Sequence, residues 1–158
     1  MRVLGVDPGS AVTGYGVIDT GNGGPSLGRL IECGVITCSR RASLAQRLAE
    51  LHAGIAELIT RHHPQSLALE DAFYHKNVRT TLVLGHARGV VLLAAAQHGL
   101  TIAEYAPATV KKTVAGAGGA PKAQVGAVVA RLLQLRHAPT PADAADGVAV
   151  ALTHILRA

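Results

Sequence analysis

Four carboxylates could perform chemistry together if the fold brings them to one place. Asp7 follows a short apolar strand and precedes a Pro-Gly turn, and Glu70 ends a second short apolar strand. Asp143 and Asp146 stand near the start of the predicted last helix, about 60° apart around its axis, so they project together. Four acids within a few ångströms repel one another and raise one another's pKa values unless cations are bound.

The residue types favour a hard divalent metal. Carboxylate oxygens are the ligands that Mg²⁺ and Mn²⁺ prefer. Cys33 and Cys38 fit neither a CxxC motif nor a Cys/His zinc pattern, and the eight histidines are scattered. Two ions about 3.5–4 Å apart suit phosphodiester hydrolysis, since one activates water and the other stabilises the leaving oxygen. The acids therefore predict a nuclease site with two Mg²⁺ ions, or with Mn²⁺ in their place.

Each acid also has a structural explanation. Asp-Pro-Gly is a common turn sequence, and the Asp7 side chain could simply accept hydrogen bonds from local backbone. Thr140 and Asp143 have the spacing of a capping box, and an acid in a first turn gains from the helix dipole. Neither Asp143 nor Asp146 has a Lys or Arg four residues later, so local ion pairing does not explain them.

The charge of the chain is unevenly distributed. The 158 residues include 15 Lys and Arg against 10 Asp and Glu, a net charge of +5. Between Ala72 and Ala142 Glu104 is the only acid, and a segment so one-sided is a candidate phosphate-binding surface, with a solvated basic face as the alternative. Its basic residues are Lys76, Arg79, Arg88, Lys111, Lys112, Lys122, Arg131 and Arg136.

Length and hydropathy favour a single soluble domain over residues 1–158. The longest uncharged segment, Gly89 to Ala103, is too short and too polar to span a bilayer. The N-terminus does not resemble a signal peptide, because Asp7 interrupts the apolar run. We therefore expect a cytoplasmic protein.

Five strands are predicted from apolar runs bounded by turn residues, and the first three, consecutive in the chain, are expected to be antiparallel. The fifth follows a helix, which favours a parallel neighbour and so a mixed sheet. The strands are Arg2 to Val6, Tyr15 to Ile18, Leu27 to Thr37, Ser66 to Glu70 and Leu100 to Tyr105.

Helices are predicted from apolar periodicity and capping residues. Ser43 and Gln46 form a capping box, and Thr140 and Pro141 suit the N-cap and first position of the last helix. In that helix Val148, Leu152, Ile155 and Leu156 form the apolar stripe opposite the acids. The predicted helices are Ser43 to His62, about Arg79 to His98, a short helix from Pro107, Lys122 to about Leu135, and the last helix.

Five motifs extend over nearly the whole chain. They are GVDPGSAVTGYGVI, LALEDAFYHKN, LGHARGV, APATVKKTVAGAGGAPKAQV and DAADGVAVALTH. None of these motifs is specific alone, but their order and spacing together resemble the RuvC family of Holliday-junction resolvases.

The resemblance implies an α/β protein with an RNase H-like fold, a five-stranded mixed sheet flanked by helices. It implies a homodimer that resolves four-way DNA junctions by paired symmetric nicks, leaving ligatable ends, in association with a branch-migration helicase. The Arg79 to His98 helix is our expected dimer interface, and a helix that only covers the sheet is the alternative.

The resemblance also implies roles for individual residues. Asp7, Glu70, Asp143 and Asp146 match the family's metal-binding quartet. Lys111 and Lys122 match basic residues near the scissile phosphate, Phe73 matches an aromatic residue that stacks near the junction centre, and Lys76 and Arg79 are further candidates for DNA contact. Asp71 differs from the neutral or longer residue of many relatives and is expected to face away from the metal site, while Lys112 is expected to face solvent.

Three other functions compete with this interpretation. A phosphotransferase of the actin and sugar-kinase type uses a similar hairpin but needs two such domains. An RNase H-like nuclease acting on RNA does not call for Phe73 or the paired Asp143 and Asp146. A DNA-binding module without catalysis leaves four acids unexplained beside a basic surface.

Overall fold

The computed structural model describes residues 1–21, 26–71 and 76–158. Three strands come first, helices and strands then alternate as far as the fifth strand, and three helices follow it. In chain order the elements are β1 (Arg2–Asp7), β2 (Val12–Asp19), β3 (Arg29–Thr37), α1 (Leu44–His62), β4 (Ser66–Glu70), α2 (Val78–Gln97), β5 (Thr101–Tyr105), α3 (Pro107–Ala115), α4 (Lys122–Leu132) and α5 (Ala142–Arg157).

The five strands form one mixed sheet in the order β3-β2-β1-β4-β5. The first three strands pair antiparallel, and β4 and β5 join in parallel, which confirms the predicted class. The parallel register pairs Gly5 with Ala68 and Val6 with Leu69, so the next step along both strands sets Asp7 beside Glu70. The carboxyl ends of β1 and β4 therefore bring these two acids to one edge.

Side-chain alternation divides the core into two layers, one on each face of the sheet. Val3 and Ala68 pack with α3, α4 and α5, whereas Leu4, Val6 and Leu67 pack with α1 and α2. Asp7 and Glu70 have the parity of Val3 and Ala68, so they lie on the face covered by α5.

Helix α5 lies unusually close to β1 and β2, because glycines face each other at the contact. A Cβ added to Gly5 would lie 2.4 Å from the backbone nitrogen of Ala151, and one added to Gly147 would lie 2.5 Å from Cα of Tyr15. A Cβ at Gly14 would meet the carbonyl of Asp143. Glycine is required here by close approach rather than by backbone dihedrals.

The predicted start of α5 is wrong by one residue. The N-cap is Pro141, which makes no side-chain cap hydrogen bond, and the helix begins at Ala142. Thr140 lies one residue before the N-cap, and the capping box that Thr140 and Asp143 could form is not made. The Asp143 side chain is thus left for another role.

Other boundaries differ by a few residues. The capping box of Ser43 and Gln46 is confirmed. Strand β2 is longer than predicted and β3 begins two residues later, while α4 ends at Leu132 rather than Leu135. Val148 and Leu152 are fully buried as expected, but Leu156 is 41% exposed.

Helix α2 has two apolar faces. Ala87, Val91, Ala94 and Ala95 are buried in the core beside α1, while Val78, Leu82 and Leu93 are more than half exposed. By length and composition alone this helix is apolar enough to cross a membrane, and it is the one helix within the described ranges that meets that test. One face of α2 therefore packs in the core of the protein, and its other face is not covered by the described residues.

Candidate metal-dependent nuclease site

Three of the four predicted acids meet at one point. Carboxylate oxygens of Asp7, Asp143 and Asp146 lie within 4.8 Å of one another, and each side chain is partly exposed to solvent. Asp7 reaches this point from the end of β1, and the two other acids come from the first turns of α5. A group of this kind offers a divalent cation several hard oxygen ligands from two elements.

Glu70 joins the group through Asp7. The two side chains share a hydrogen bond, and burial together with the negative charge of Glu70 raises the pKa of Asp7 to about 9. Burial also raises the pKa of Glu70, although the hydrogen bond from Asp7 works in the opposite direction. These shifts favour a proton between the two carboxyl groups, held mainly by Asp7.

Two lysines line an open cavity of about 600 Å³ together with the acids. Lys111 of α3 and Lys122 of α4 share this lining with Asp7, Glu70 and Asp146. The Lys122 Nζ lies 3.1 Å from Oδ2 of Asp146, and this pairing raises the pKa of Lys122. A cavity lined by both carboxylates and ammonium groups suits a phosphate that reacts beside divalent metal ions.

Lys122 also approaches Asp143, at 3.8 Å. In the sequence no Lys or Arg stands four residues after either aspartate, but in the structure Lys122 reaches both of them from a different helix. The lysine thus partly neutralises the acidic group in the protein alone.

Asp71 points away from the four acids, as the alternation along β4 predicts. Its carboxylate lies 3.0 Å from Nε of Arg88 on α2, and the same guanidinium is 2.5 Å from Oε1 of Glu104. The Asp71 backbone N–H donates to the Tyr105 carbonyl at 2.8 Å. These contacts fix the chain immediately after Glu70 between β5 and α2.

The remaining predicted DNA contacts lie near the same edge of the sheet. Lys76 and Arg79 are exposed just before and within the first turn of α2, and Lys112 is exposed as expected. Arg88 does not belong to a free basic surface, because it is paired with Asp71 and Glu104. Phe73 lies outside the described residues.

A family model and the similar curated proteins carry the same description. The family model described as Crossover junction endodeoxyribonuclease RuvC matches residues 3–154. A relative of that description from Halorhodospira halophila is 52% identical over 153 residues, which are 97% of this chain and 89% of the relative. Another, from Azorhizobium caulinodans, is 50% identical over 98% of this chain and 89% of its own.

Solved structures support the fold. The structure of Thermus thermophilus RuvC is 35% identical with a TM-score of 0.88, and that protein in complex with Holliday junction substrate is 34% identical with a TM-score of 0.90. Both matches cover 99% of this chain and 94% of the other. The yeast mitochondrial resolvase Ydc2 shares the fold alone, at 13% identity and a TM-score of 0.63 over 98% of this chain and 78% of its own. The RNase H-like α/β architecture is thereby confirmed.

Proposed function

The chain belongs to the RuvC family of crossover junction endodeoxyribonucleases, and from this premise we propose that it resolves four-way DNA junctions by paired symmetric nicks. The reaction is metal-dependent phosphodiester hydrolysis that leaves ligatable ends. The observation that carries the proposal is the meeting of Asp7, Asp143 and Asp146, with Glu70 bonded to Asp7, beside an open cavity that Lys111 and Lys122 also line.

The residues fit two divalent ions, Mg²⁺ or Mn²⁺. Asp7 lies between the two halves of the acidic group, since it contacts Glu70 on one side and meets Asp143 and Asp146 on the other. Ions bound there would activate the attacking water and stabilise the leaving oxygen. The proton on Asp7 must leave when cations bind, because a ligating carboxylate is ionised.

The lysines would act on the DNA itself. Lys111 and Lys122 line the same cavity as Asp7 and Glu70, where an ammonium group would neutralise charge on the scissile phosphate. Lys76 and Arg79 would hold backbone phosphates farther along the strand. We assign Phe73 to stacking at the junction centre on the strength of the family resemblance.

A homodimer is proposed through the outer face of α2. Val78, Leu82, Gly85, Gly89 and Leu93 recur at intervals of three or four residues, so they form one stripe along the helix. Val78 and Leu82 are 73% and 61% exposed, and a Cβ at either glycine would meet no atom within 4 Å among the described residues. A second copy packed on this stripe would bury it and set two cutting sites around one junction.

Two further expectations stay predictions. The family resemblance implies association with a branch-migration helicase of the same recombination system. A cytoplasmic location follows from the sequence argument above.

Substrate class is tested by cleavage of a synthetic four-way DNA junction beside linear duplex and an RNA–DNA hybrid, each with Mg²⁺, Mn²⁺ or EDTA. We expect symmetric nicks on the junction alone, present with either metal and absent in EDTA. Cutting of the hybrid would move the substrate to RNA, and binding without any cutting would favour a non-catalytic DNA-binding module.

A further inference from the structure

A second basic surface adjoins the β1–β2 loop. It is an open groove of about 300 Å³ lined by Arg40, Arg47 and Arg79, together with Ser10, Ala11, Thr80 and Val83. We call it the arginine groove. Its three arginines come from three separate parts of the fold: the β3–α1 connection, α1, and the first turn of α2.

Within residues 1–21, 26–71 and 76–158, none of the three arginines has an acidic partner. Every described ion pair of the chain involves other cations, so no carboxylate oxygen among the described residues lies within 4.0 Å of a guanidinium nitrogen of Arg40, Arg47 or Arg79. This contrasts with Arg88 and Lys122, which are both paired. Three unneutralised guanidinium groups around one groove favour an anionic ligand.

Arg47 is held in place from the loop side. One of its terminal nitrogens donates to the carbonyl of Ser10, while its Nε is buried without a hydrogen-bond partner among the described residues. The Cys38 backbone N–H donates to the Ala11 carbonyl at 3.1 Å, which ties the β3–α1 connection to the same loop. The groove is therefore built onto the loop that begins at Asp7.

The groove and the acidic site share one edge of the sheet. Ser10 is three residues from Asp7, so the two lie within about 11 Å along the chain. A DNA strand carries one phosphate per about 3.4 Å of helix axis. A strand whose scissile phosphate lies at the acids and that runs toward Ser10 can therefore place another phosphate, within about three nucleotides, at the groove.

We propose that the arginine groove binds a backbone phosphate of the strand being cut, one to three nucleotides from the nick. This inference rests on the proposed function and deepens it, because it adds Arg40 and Arg47 to the DNA-contacting residues and gives Arg79 a defined partner. The bound phosphate would fix the register of the strand relative to Asp7, since phosphate contacts position nucleic acid without reading its sequence.

The first test measures salt-dependent binding. Junction affinity is determined by fluorescence anisotropy in EDTA for wild type, for the double variant Arg40→Gln/Arg79→Gln, and for a charge-matched control. The control is Arg29→Gln/Arg157→Gln, two exposed arginines outside the groove, of which Arg29 begins β3 and Arg157 ends α5. All four side chains are exposed, so folding is not at stake, and thermal unfolding verifies this.

We expect the groove variant to bind roughly tenfold more weakly per arginine. The slope of log affinity against log salt is expected to fall by about 1 for each lost phosphate contact. The control variant is expected to bind more tightly and with a steeper slope than the groove variant.

The second test locates the phosphate. Single neutral methylphosphonates are moved along the cut strand, and one position is expected to weaken wild-type binding while leaving the groove variant unaffected. If the groove instead binds free phosphate or a nucleotide, junction binding and the methylphosphonate response would be the same in groove and control variants. Equal affinity, slope and methylphosphonate response in groove and control variants would overturn the inference, provided that wild type cuts the junction. Wild type that neither binds nor cuts it would instead overturn the proposed function.

Discussion

The proton shared by Asp7 and Glu70 links the acidic site to pH. Burial and Glu70 raise the pKa of Asp7 from 3.8 to about 9. Between these pH values the folded chain holds a proton that the unfolded chain has released. The free energy of unfolding of the metal-free protein therefore falls as pH rises through this window.

Replacement of Asp7 by Asn removes the titrating group and leaves a neutral side chain of nearly the same shape, so folding no longer has to bind a proton there. We expect Asp7→Asn to stabilise the metal-free protein by roughly 0.5–2 kcal/mol at neutral pH and to flatten its pH dependence. Urea unfolding in EDTA across a pH series measures both effects, with Glu50→Gln, an exposed residue of α1, as the control. Parallel pH profiles for wild type and Asp7→Asn would contradict the shared proton.

The ammonium group of Lys122 lies beside two of the carboxylates that would bind a metal ion. Its Nζ contacts Asp146 and approaches Asp143, so it competes with cations for those oxygens. We expect Lys122→Met to bind Mn²⁺ at least as tightly as wild type, yet to cut junctions roughly 10²–10³-fold more slowly. Calorimetric titration and single-turnover cleavage measure the two, with exposed Lys112→Met as control. Weaker Mn²⁺ binding by Lys122→Met would contradict the competition.

The sequence allows the acids to be predicted because each follows a local pattern, a strand end or a helix start. It does not reveal their partners. Lys122 meets Asp146 through the packing of α4 on α5, and Arg88 meets Asp71 through the packing of α2 on the sheet. The arginine groove was not predicted from the sequence, because Arg40 and Arg47 lie outside the basic segment from Ala72 to Ala142.

At the scale of elements, the position of α5 depends on the absence of side chains at its contact. Gly147 follows Asp146 directly and faces Cα of Tyr15 across the helix–sheet interface. A methyl group there must push the helix off the sheet or distort β2. Either response displaces Asp143 and Asp146 from Asp7.

We expect Gly147→Ala to cost about 1–3 kcal/mol of stability and to weaken Mn²⁺ binding. The matched control is Gly126→Ala in α4, where an added Cβ would make ordinary contacts of 3.4 Å or more. Thermal unfolding and Mn²⁺ titration are measured on both. Wild-type metal affinity in Gly147→Ala would show that the close approach does not position the acids.

Element types were predictable, since long apolar periodicities and strand alternation both produced the correct assignment. Ends were less so. Thr140 has good N-cap chemistry, but Pro141 is in extended backbone with ψ of 176°, and the first helical residue is Ala142. The choice between Thr140 and Pro141 depends on how α5 enters its site against the sheet, which local propensity does not encode.

At the scale of the whole molecule, the uncovered stripe of α2 carries the prediction of a dimer. We expect Leu82→Glu to yield monomers with wild-type thermal stability at low concentration, because Leu82 is 61% exposed in the single chain. Such monomers would nick junctions without pairing the two cuts. Sedimentation equilibrium measures assembly, with Leu156→Glu, which alters an exposed residue of α5, as control. An unchanged dimer in Leu82→Glu, or a monomeric wild type, would contradict this interface.

The order of the strands in the sheet was not predicted, either from spacing or from the family resemblance. Consecutive strands predicted the β1-β2-β3 antiparallel run, but nothing local sets β4 beside β1 instead of beside β3. That neighbour relation is what joins Glu70 to Asp7, so the site depends on the least local feature of the fold.

The central claim is that metal ions held by Asp7, Glu70, Asp143 and Asp146 act on the scissile phosphate. The most direct test places one sulfur on a non-bridging position of that phosphate in a synthetic junction and compares single-turnover cleavage in Mg²⁺ and Mn²⁺. Because Mn²⁺ accepts sulfur better than Mg²⁺ does, we predict slow cleavage in Mg²⁺ that Mn²⁺ restores for at least one sulfur isomer. Equal slowing in both metals for both isomers would contradict direct metal contact.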